Sequence, residues 1–262
     1  MTKNYDKAIL VVSFGTSYED TRIKTIDAIE NDIAREFPEY KIYRAFTSKM
    51  IIKKLKKRDN LHIDTVSEAL ERMVNDGIKD LIIQPTHVIN GIENDFMIED
   101  TDAFRDKFNS IKIGAPLLTF TEDYRHIIKT IAEEFSYVKE DEALVIMGHG
   151  TDHHANAAYA ALDYMFKEAG FKNVFIGNVE SYPELDVVIK SLKENTYNKL
   201  YITPLMIVAG DHALNDMASD EEDSWKTLLE NEGYNVECIV KGLGEYKAIR
   251  NLFIKHINNI LI

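Results

Sequence analysis

Cysteine is almost absent from this sequence, and its scarcity narrows the possible chemistry. Cys238 is the only cysteine among 262 residues, which excludes an intramolecular disulfide and any zinc or iron–sulfur site built from several cysteines. Neither a GxGxxG nor a GxxxxGK[ST] loop occurs, so we expect no nucleotide or organic cofactor. A metal bound by this protein must therefore be held by histidine and carboxylate side chains.

Long apolar runs and an excess of positive charge are also missing. No run approaches the length of a membrane span, and the start, MTKNYDKAILVVSFGTS, enters a strand-like segment without a signal-peptide pattern. We therefore expect a cytoplasmic protein that does not bind membranes. The net charge of −13 argues against nucleic-acid binding, and an anionic ligand would need a local basic patch.

The chain does show the alternation of short and long segments that is typical of α/β proteins. Segments with helical spacing lie at 20–36, 64–76, 122–136, 153–169, 183–195 and 245–260. Short β-branched runs between them predict strands at KAILVVSF, YKIYRAF, DLIIQP, SIKIGAP, EALVIMG, KNVFIGNV, KLYITPLMIV and YNVECIVKG. This order predicts parallel sheets flanked by helices.

An internal repeat indicates how these elements are grouped. VVSFGT resembles VIMGHGT, which pairs Gly15 with Gly150, and IIQPTHVINGIEND resembles YITPLMIVAGDHALND, which pairs Pro85 with Pro204. The repeat predicts two similar four-stranded α/β halves that face each other across a cleft holding the active site.

The expected halves have simple boundaries. The first covers 1–121, the second covers 122–245, and we expect the final helix, 246–262, to pack back on the first half. Between its second and third strands the first half carries an insertion, SKMIIKKLKKRDNLHID, which is the most basic stretch of the chain. It leaves the carboxyl end of a strand, where ligands bind in open α/β sheets.

Three polar residues occupy matched strand ends in the second half. His149 follows the fifth strand, Glu180 the sixth and His212 the seventh, so parallel strand order would bring them to one edge. Such a set suits a borderline divalent ion such as Co²⁺, Fe²⁺, Ni²⁺ or Zn²⁺. The first-half counterparts are Phe14, Thr47 and Glu93.

The surroundings of His149 allow more than one interpretation. Gly148 and Gly150 leave no side chain beside it, which would permit close approach of a flat ligand. A single histidine at a strand end is more often a hydrogen-bonded loop residue than a ligand, but three residues at matched positions favour a site. His153 and His154 are expected in the first turn of a helix beginning near residue 152, with a structural or supporting role.

Several long stretches resemble one enzyme family. They are LVVSFGTSYEDT, RAFTSKMII, QPTHVINGIE, VIMGHGTDHHANAAYAALD, VESYPELD and PLMIVAGDHALNDMASDEEDSW, and together they cover nearly the whole chain in order. They are similar to anaerobic-type sirohydrochlorin cobaltochelatases, class II chelatases of the ferrochelatase-like superfamily. The resemblance implies two flavodoxin-like halves around a tetrapyrrole cleft. It also implies ATP-independent insertion of Co²⁺, the metal substrate, into sirohydrochlorin or precorrin-2 during anaerobic cobalamin biosynthesis.

The resemblance also implies roles for individual residues. The family's metal-binding and catalytic residues fall on His149, Glu180 and His212. Glu93, with His87 nearby, falls on the opposite side of the expected cleft, and we assign Glu93 to proton removal, although it could instead stabilise the start of the following helix. Phe14 would offer the tetrapyrrole an apolar contact.

An anionic tetrapyrrole needs positive charge on an acidic protein. The candidates are Arg44, Lys53, Lys54, Lys56, Lys57 and Arg58. Of these, Arg58 is favoured for a bidentate contact with a substrate carboxylate. The same lysines could equally form the solvated face of a helix.

Two other functions remain open at this point. One is an Fe²⁺ or Ni²⁺ chelatase acting on a related tetrapyrrole, because the same ligands accept those ions. The other is a two-lobed protein that binds a metal or haem without turnover. The sequence does not determine the physiological metal, the oligomeric state or the order of substrate binding.

Overall fold

The computed structural model describes residues 5–261, which form two compact units. The first unit consists of the chain up to Thr119 together with the segment from Arg250 onward, and the second unit consists of Phe120–Ile249. Each unit contains a four-stranded parallel sheet. Within residues 5–261 no helix is long and apolar enough to cross a membrane.

The sheet of the first unit has the strand order β2-β1-β3-β4. Its strands are β1 (Lys7–Ser13), β2 (Lys41–Phe46), β3 (Asp80–Pro85) and β4 (Ser110–Ile113). Five consecutive residues of β1, from Ala8 to Val12, are fully buried. A parallel strand covered on both faces must be apolar on both faces, which is why this stretch is continuously hydrophobic rather than alternating.

Helices surround this sheet. They are α1 (Glu19–Lys24), α2 (Ile26–Glu36), α3 (Lys49–Asp59), α4 (Val66–Asn75), α5 (Ile92–Asp102) and α10 (Lys247–Leu261). The last helix is attached to the first unit by several polar contacts. Arg250 pairs with the buried Asp32 at 2.5 Å, and His256 Nδ1 lies 2.9 Å from the Ala115 carbonyl. Apolar residues of α10, including Phe253, are fully buried.

The second unit repeats the same order as β6-β5-β7-β8. Its strands are β5 (Glu142–Gly148), β6 (Val174–Asn178), β7 (Lys199–Pro204) and β8 (Asn235–Cys238). Its helices are α6 (Thr121–Glu134), α7 (Ala157–Glu168), α8 (Leu185–Leu192) and α9 (Trp225–Asn231). The predicted fold class, two similar halves each with a four-stranded parallel sheet flanked by helices, is confirmed.

Some predicted element ends were wrong. The seventh strand ends at Pro204 rather than running on through Val208, since proline has no N–H to continue the ladder. The helical segment at 20–36 is two helices that break at Thr25, whose hydroxyl donates to the Thr21 carbonyl at 2.6 Å.

The basic insertion forms helix α3. Both α3 and α4 lie between β2 and β3, whereas only α8 lies between β6 and β7. Helix α3 begins after Ser48, whose hydroxyl accepts a hydrogen bond from the Ile51 amide, and it buries Ile52 and Leu55. Its lysines are exposed on the remaining surface.

Helices α5 and α9 lie outside the segments that helical spacing predicted, although a helix was expected to start near Glu93. The apolar residues of α5 do not line up on one face, and α9 spans only 7 residues, so neither gives a clear helical period.

Candidate metal centre

Three side chains gather at the edge of the second sheet where its strands end. His149 directly follows β5, Glu180 lies just beyond β6, and His212 precedes a turn of π-helix after β7, Ala213–Met217. One ligand atom from each of the three lies within 4.8 Å of those from the other two. We call these residues the His–Glu–His group. The structure thus brings together the three residues that the repeat had matched.

The distances between its side chains describe the geometry of this group. His149 Nδ1 lies 3.6 Å from a Glu180 carboxylate oxygen, and the His149 and His212 rings meet edge to face with centroids 4.7 Å apart. The side chains of His149, Glu180 and His212 are 39%, 53% and 32% exposed. An ion can therefore reach the group from solvent and leave it again.

The backbone fixes two members of the group relative to each other. The Val179 amide donates to the Gly148 carbonyl at 3.0 Å, and the Glu180 amide donates to the His149 carbonyl at 2.9 Å. These bonds extend the parallel ladder between β5 and β6 beyond the strands themselves. His149 and Glu180 are consequently held side by side by main-chain bonds.

Hydrogen bonds also determine which nitrogen of each imidazole remains available. His149 Nδ1 lies 2.8 Å from the Gly150 carbonyl, and His212 Nδ1 lies 2.5 Å from Oδ2 of Asp216. A carbonyl and an ionised carboxylate can only accept, so each of the two histidines, in its neutral form, carries its hydrogen on Nδ1. Each Nε2 therefore keeps the lone pair that a metal requires.

Gly148 and Gly150 are required by packing inside the unit, which corrects the expectation that they make room for a flat ligand. A Cβ at Gly148 would lie 2.3 Å from Oδ1 of Asn178 and 2.7 Å from the Tyr159 ring. A Cβ at Gly150, where φ is +83°, would lie 2.9 Å from the Ser181 amide nitrogen. The space beside both glycines is thus filled by the protein's own atoms.

A buried tyrosine supports the loop that carries His149. Tyr159 lies on α7, and the backbone amides of His149 and Gly150 hydrogen-bond to its oxygen. Burial raises the pKa of Tyr159 to about 12, so this phenol stays protonated near neutral pH. Its contribution is to hold the loop rather than to exchange protons.

Side-chain hydrogen bonds join the loops after β5 and β6. Ser181 Oγ accepts from the Thr151 amide at 3.0 Å and donates to Oδ1 of Asn156 at 2.8 Å. The Asn156 side-chain amide in turn donates to the Tyr182 carbonyl at 2.6 Å. This network connects the loop of His149 to the loop of Glu180 a second time, independently of the main chain.

His153 and His154 follow His149 in the same loop and make contacts of their own. His153 Nδ1 accepts from the Ala155 amide at 3.2 Å and so caps a short 3₁₀ turn, His154–Asn156. The two rings stack with centroids 3.9 Å apart. Helical structure therefore begins at His154, slightly later than expected, and these contacts are structural.

The two candidate residues of the first unit have contrasting surroundings. Glu93 is half-buried in the first turn of α5, whose N-cap is Gly91, and its carboxylate has no hydrogen-bond or ion-pair partner among residues 5–261. His87 follows β3 and is buried, and within residues 5–261 neither of its ring nitrogens has a hydrogen-bond partner. Burial lowers the pKa of His87 to about 4, which disfavours it as an assistant in proton removal.

The two predicted arginine contacts are already used inside the first unit. The Arg44 guanidinium is bound by the carboxylates of Glu30 and Asp27. Arg58 makes a two-pronged pair with Asp59, at 2.7 and 2.6 Å. These arrangements favour structural ion pairs over substrate contacts. Lys53 and the other α3 lysines remain exposed, and Phe14, directly after β1, is 44% exposed.

A second cluster of potential ligands lies in the first unit. Atoms of His62, Asp64 and Glu68 come within 4.8 Å of one another. The Asp64 carboxylate, however, pairs with Arg72 at 2.6 Å, and Glu68 accepts from the Thr65 amide at 2.8 Å in the capping box of α4. A cation would have to displace the arginine, so this cluster is a structural ion-pair network.

Sequence reasoning missed Asp216, Tyr159 and the Ser181 network. The spacing of four residues between His212 and Asp216 was a readable signal, because such pairs meet on a helical turn. The contacts of Tyr159 and Ser181 join distant segments, and no local sequence pattern predicts them.

Comparisons with known proteins find similar chains that match nearly the whole of this one. A family model described as Cobalt chelatase (CbiK) matches residues 7–262. Sirohydrochlorin cobaltochelatase of Salmonella typhimurium is 44% identical over 255 residues, which is 97% of this chain and 96% of that protein. Sirohydrochlorin cobaltochelatase CbiKC of Nitratidesulfovibrio vulgaris is 30% identical over 260 residues, covering 98% of this chain and 90% of that protein.

A solved structure shares the fold at much lower identity. The structure of SirB from Bacillus subtilis with Fe³⁺ superposes with a TM-score of 0.68 at 14% identity, covering 97% of this chain and 95% of the other. At that identity the similarity supports a shared architecture only. The family model and the two relatives go further, and the chain belongs to the cobalt chelatase (CbiK) family.

Proposed function

We propose that this protein inserts Co²⁺ into sirohydrochlorin, or into its precursor precorrin-2, without ATP, as a step of anaerobic cobalamin biosynthesis. Two relatives at 44% and 30% identity carry the name sirohydrochlorin cobaltochelatase, and both match nearly the whole chain. The observation that carries the proposal is the His–Glu–His group, which offers two imidazole nitrogens and one carboxylate within 4.8 Å.

The group would hold the metal substrate before its transfer. Two neutral imidazoles and a carboxylate form a donor set of intermediate softness, which suits Co²⁺ better than Mg²⁺ or Ca²⁺. His149, Glu180 and His212 would supply three ligands and leave other positions to water and then to pyrrole nitrogens. Their partial exposure supports this role, because a chelatase must release its ion to a second ligand in every turnover.

Insertion also requires removal of two pyrrole N–H protons. We assign this task to Glu93, because its carboxylate has no partner among residues 5–261 and can accept a proton without breaking an ion pair. Since Glu93 is only half-buried, it would pass the first proton to water before accepting the second. Phe14 and the exposed lysines of α3, Lys53 among them, are assigned to tetrapyrrole binding, the first through apolar contact and the lysines through charge.

A spectrophotometric assay under anaerobic conditions tests the proposal. Sirohydrochlorin in large molar excess over enzyme is mixed with Co²⁺, and loss of the metal-free absorption is followed with and without protein. Multiple turnovers above the uncatalysed rate are expected, whereas a single equivalent bound per chain would indicate a binding protein instead. Repeating the assay with Fe²⁺, Ni²⁺ and Zn²⁺ ranks the metals, and a higher kcat/KM for Fe²⁺ or Ni²⁺ would overturn the assignment of cobalt.

A further inference from the structure

Asp216 touches the His–Glu–His group without belonging to it. Its carboxylate oxygen lies 2.5 Å from His212 Nδ1, on the side of the ring away from Nε2. His212 and Asp216 are both partly exposed, with 32% and 45% of their side chains accessible. Asp216 therefore contacts the metal-binding candidate but is not among the three residues that could share an ion.

The contact decides the tautomer of His212. A neutral imidazole carries its hydrogen on one nitrogen or the other, and only the bare nitrogen binds a metal. An ionised carboxylate at Nδ1 can only accept, so the hydrogen is kept there and Nε2 stays free. The negative charge also makes Nε2 of the imidazole a stronger electron-pair donor to a metal, which is the effect that carboxylate partners have on metal-bound histidines.

The hydrogen of His149 is also kept on Nδ1, but by a different kind of acceptor. Its Nδ1 donates to the Gly150 carbonyl, a neutral main-chain acceptor that no substitution removes. In His212 the acceptor is a charged side chain four residues along the chain. The two ligands thus differ in how easily their orientation can be perturbed by mutation.

The turn that contains Asp216 is anchored in the core. The π-helical turn begins at Ala213 and ends at Met217, and both of these residues are fully buried. The Leu214 amide donates to the Gly210 carbonyl at 3.0 Å, which ties the start of the turn to the preceding loop. Burial of one side of the turn therefore holds Asp216, on its exposed side, against His212.

We propose that Asp216 is a positioning residue for the metal substrate: it holds His212 in the tautomer and ring orientation that present Nε2 to the ion. This inference rests on the proposed function of the His–Glu–His group. It adds a fourth residue that acts through His212 and not by ligation.

Metal affinity, the His212 tautomer and steady-state KM values, all measured on the folded protein, test this role. The variants are Asp216→Asn, which removes the charge at constant size, and Asp216→Ala, which removes the acceptor. Asp223→Asn is the matched control, because Asp223 is exposed in the same region and its replacement changes the net charge equally. Co²⁺ affinity is measured by isothermal titration calorimetry, and the His212 tautomer is measured in metal-free protein from its imidazole ¹⁵N chemical shifts.

The expected result separates Asp216 from a residue that only stabilises the fold. Both Asp216 variants should bind Co²⁺ about 10-fold to 100-fold more weakly, with the KM for Co²⁺ raised and the KM for sirohydrochlorin unchanged. Asp216→Ala should also lose the pure Nδ1–H signal of His212. Asp223→Asn should match the wild type in every measurement.

Other outcomes would overturn one proposal or the other. Wild-type Co²⁺ affinity and an unchanged His212 tautomer in both Asp216 variants would overturn the positioning role. If His212→Ala itself binds Co²⁺ like the wild type, the metal-binding assignment fails instead, and the ¹⁵N measurement still decides whether Asp216 fixes the tautomer. Should Asp216→Ala fail to fold, the isosteric Asp216→Asn carries the comparison.

Discussion

At the scale of single residues, three histidines within a short stretch differ in what their nitrogens contact. His149 leaves Nε2 free and lies in the His–Glu–His group, whereas His153 uses Nδ1 to cap a 3₁₀ turn. We expect His149→Ala or His212→Ala to lower chelatase kcat/KM by at least about 100-fold. His153→Ala should lose only about 1 kcal/mol of stability, as for other helix caps.

Steady-state assays and thermal unfolding of the three variants check this prediction. Equal losses of activity in His153→Ala and His149→Ala would contradict it, because a cap has no direct part in metal transfer.

Gly150 gives a second prediction at this scale. Its φ of +83° and the 2.9 Å approach to the Ser181 amide nitrogen mean that Gly150→Ala strains the backbone and pushes on the loop of Glu180. We expect a loss of about 2–4 kcal/mol of stability together with weaker Co²⁺ binding. Gly170→Ala is the matched control, since Gly170 also has a positive φ, +95°, but a Cβ there meets no described residue within 4 Å.

Urea unfolding and Co²⁺ titration of both glycine variants provide the readout. Gly170→Ala should lose about 1–2 kcal/mol with unchanged metal affinity. Equal Co²⁺ affinities in the two variants would mean that the packing around Gly150 does not shape the metal centre.

The buried imidazole of His87 predicts a pH dependence of stability. Its pKa is lowered to about 4 in the folded protein, against about 6.5 when unfolded, so the neutral form is favoured by folding. This contribution is complete above pH 6.5 and is lost as the pH falls from 6.5 towards 4. Between pH 7 and pH 5 the unfolding free energy should fall by about 2 kcal/mol from His87 alone.

His87→Leu should remove this contribution. Because neither ring nitrogen has a partner in the described part of the chain, we expect the variant to be at least as stable as the wild type at pH 7 and to lose less stability at pH 5. Urea unfolding followed by circular dichroism at the two pH values measures the difference. Parallel losses in the two proteins would show that His87 does not titrate in this range.

At the scale of elements, helix α3 separates into a buried face and a charged face. Ile52 and Leu55 face the core, while Lys53, Lys56 and Lys57 are exposed and Arg58 is held by Asp59. Replacing the three lysines with glutamine should raise the KM for sirohydrochlorin roughly tenfold at low salt, since each exposed charge contact contributes about 0.5 kcal/mol.

The control variant removes the same number of positive charges at positions outside α3. Lys7, Lys79 and Lys172 are exposed at the amino ends of strands, away from the edge that carries the candidate residues. Their triple replacement with glutamine should leave the KM unchanged. Equal KM values for the two triple variants would make α3 an ordinary solvated helix.

At the scale of the whole molecule, the net charge of −13 opposes the approach of a polycarboxylate. In the wild type, added salt should raise the KM for sirohydrochlorin, because it screens the attraction to α3. In the α3 lysine variant the repulsion outweighs the attraction of the remaining Lys49 and Lys54, so added salt should lower the KM. KM values measured between low and high ionic strength would contradict this explanation if both proteins responded with the same sign.

The sequence predicted the architecture well because a repeated pattern specifies it. The strands were readable as apolar runs, and the matched pairs Gly15 with Gly150 and Pro85 with Pro204 indicated two similar halves. The structure also brings the three matched residues of the second half together. These inferences depend on local sequence patterns and on the succession of strands along the chain. Both can be read directly from the sequence.

The remaining features depend on contacts between distant segments. Arg44 looked available until its partners Asp27 and Glu30 were known, and they lie on another element. Gly150 looked like an opening for a ligand, yet Ser181 fills the space beside it. No periodicity or spacing reports which tertiary neighbour occupies a given volume.

The ladder between β5 and β6 has a consequence for the entropy of metal capture. Because the Glu180 amide is bonded to the His149 carbonyl, the backbones beneath two of the three proposed ligands are immobilised during folding, before any ion arrives. Ordering on metal binding is then confined largely to side chains, above all that of Glu180, which is 53% exposed. A flexible three-ligand site would lose conformational freedom each time it captures an ion and regain it on each release. Here much of that freedom is removed once, when the chain folds.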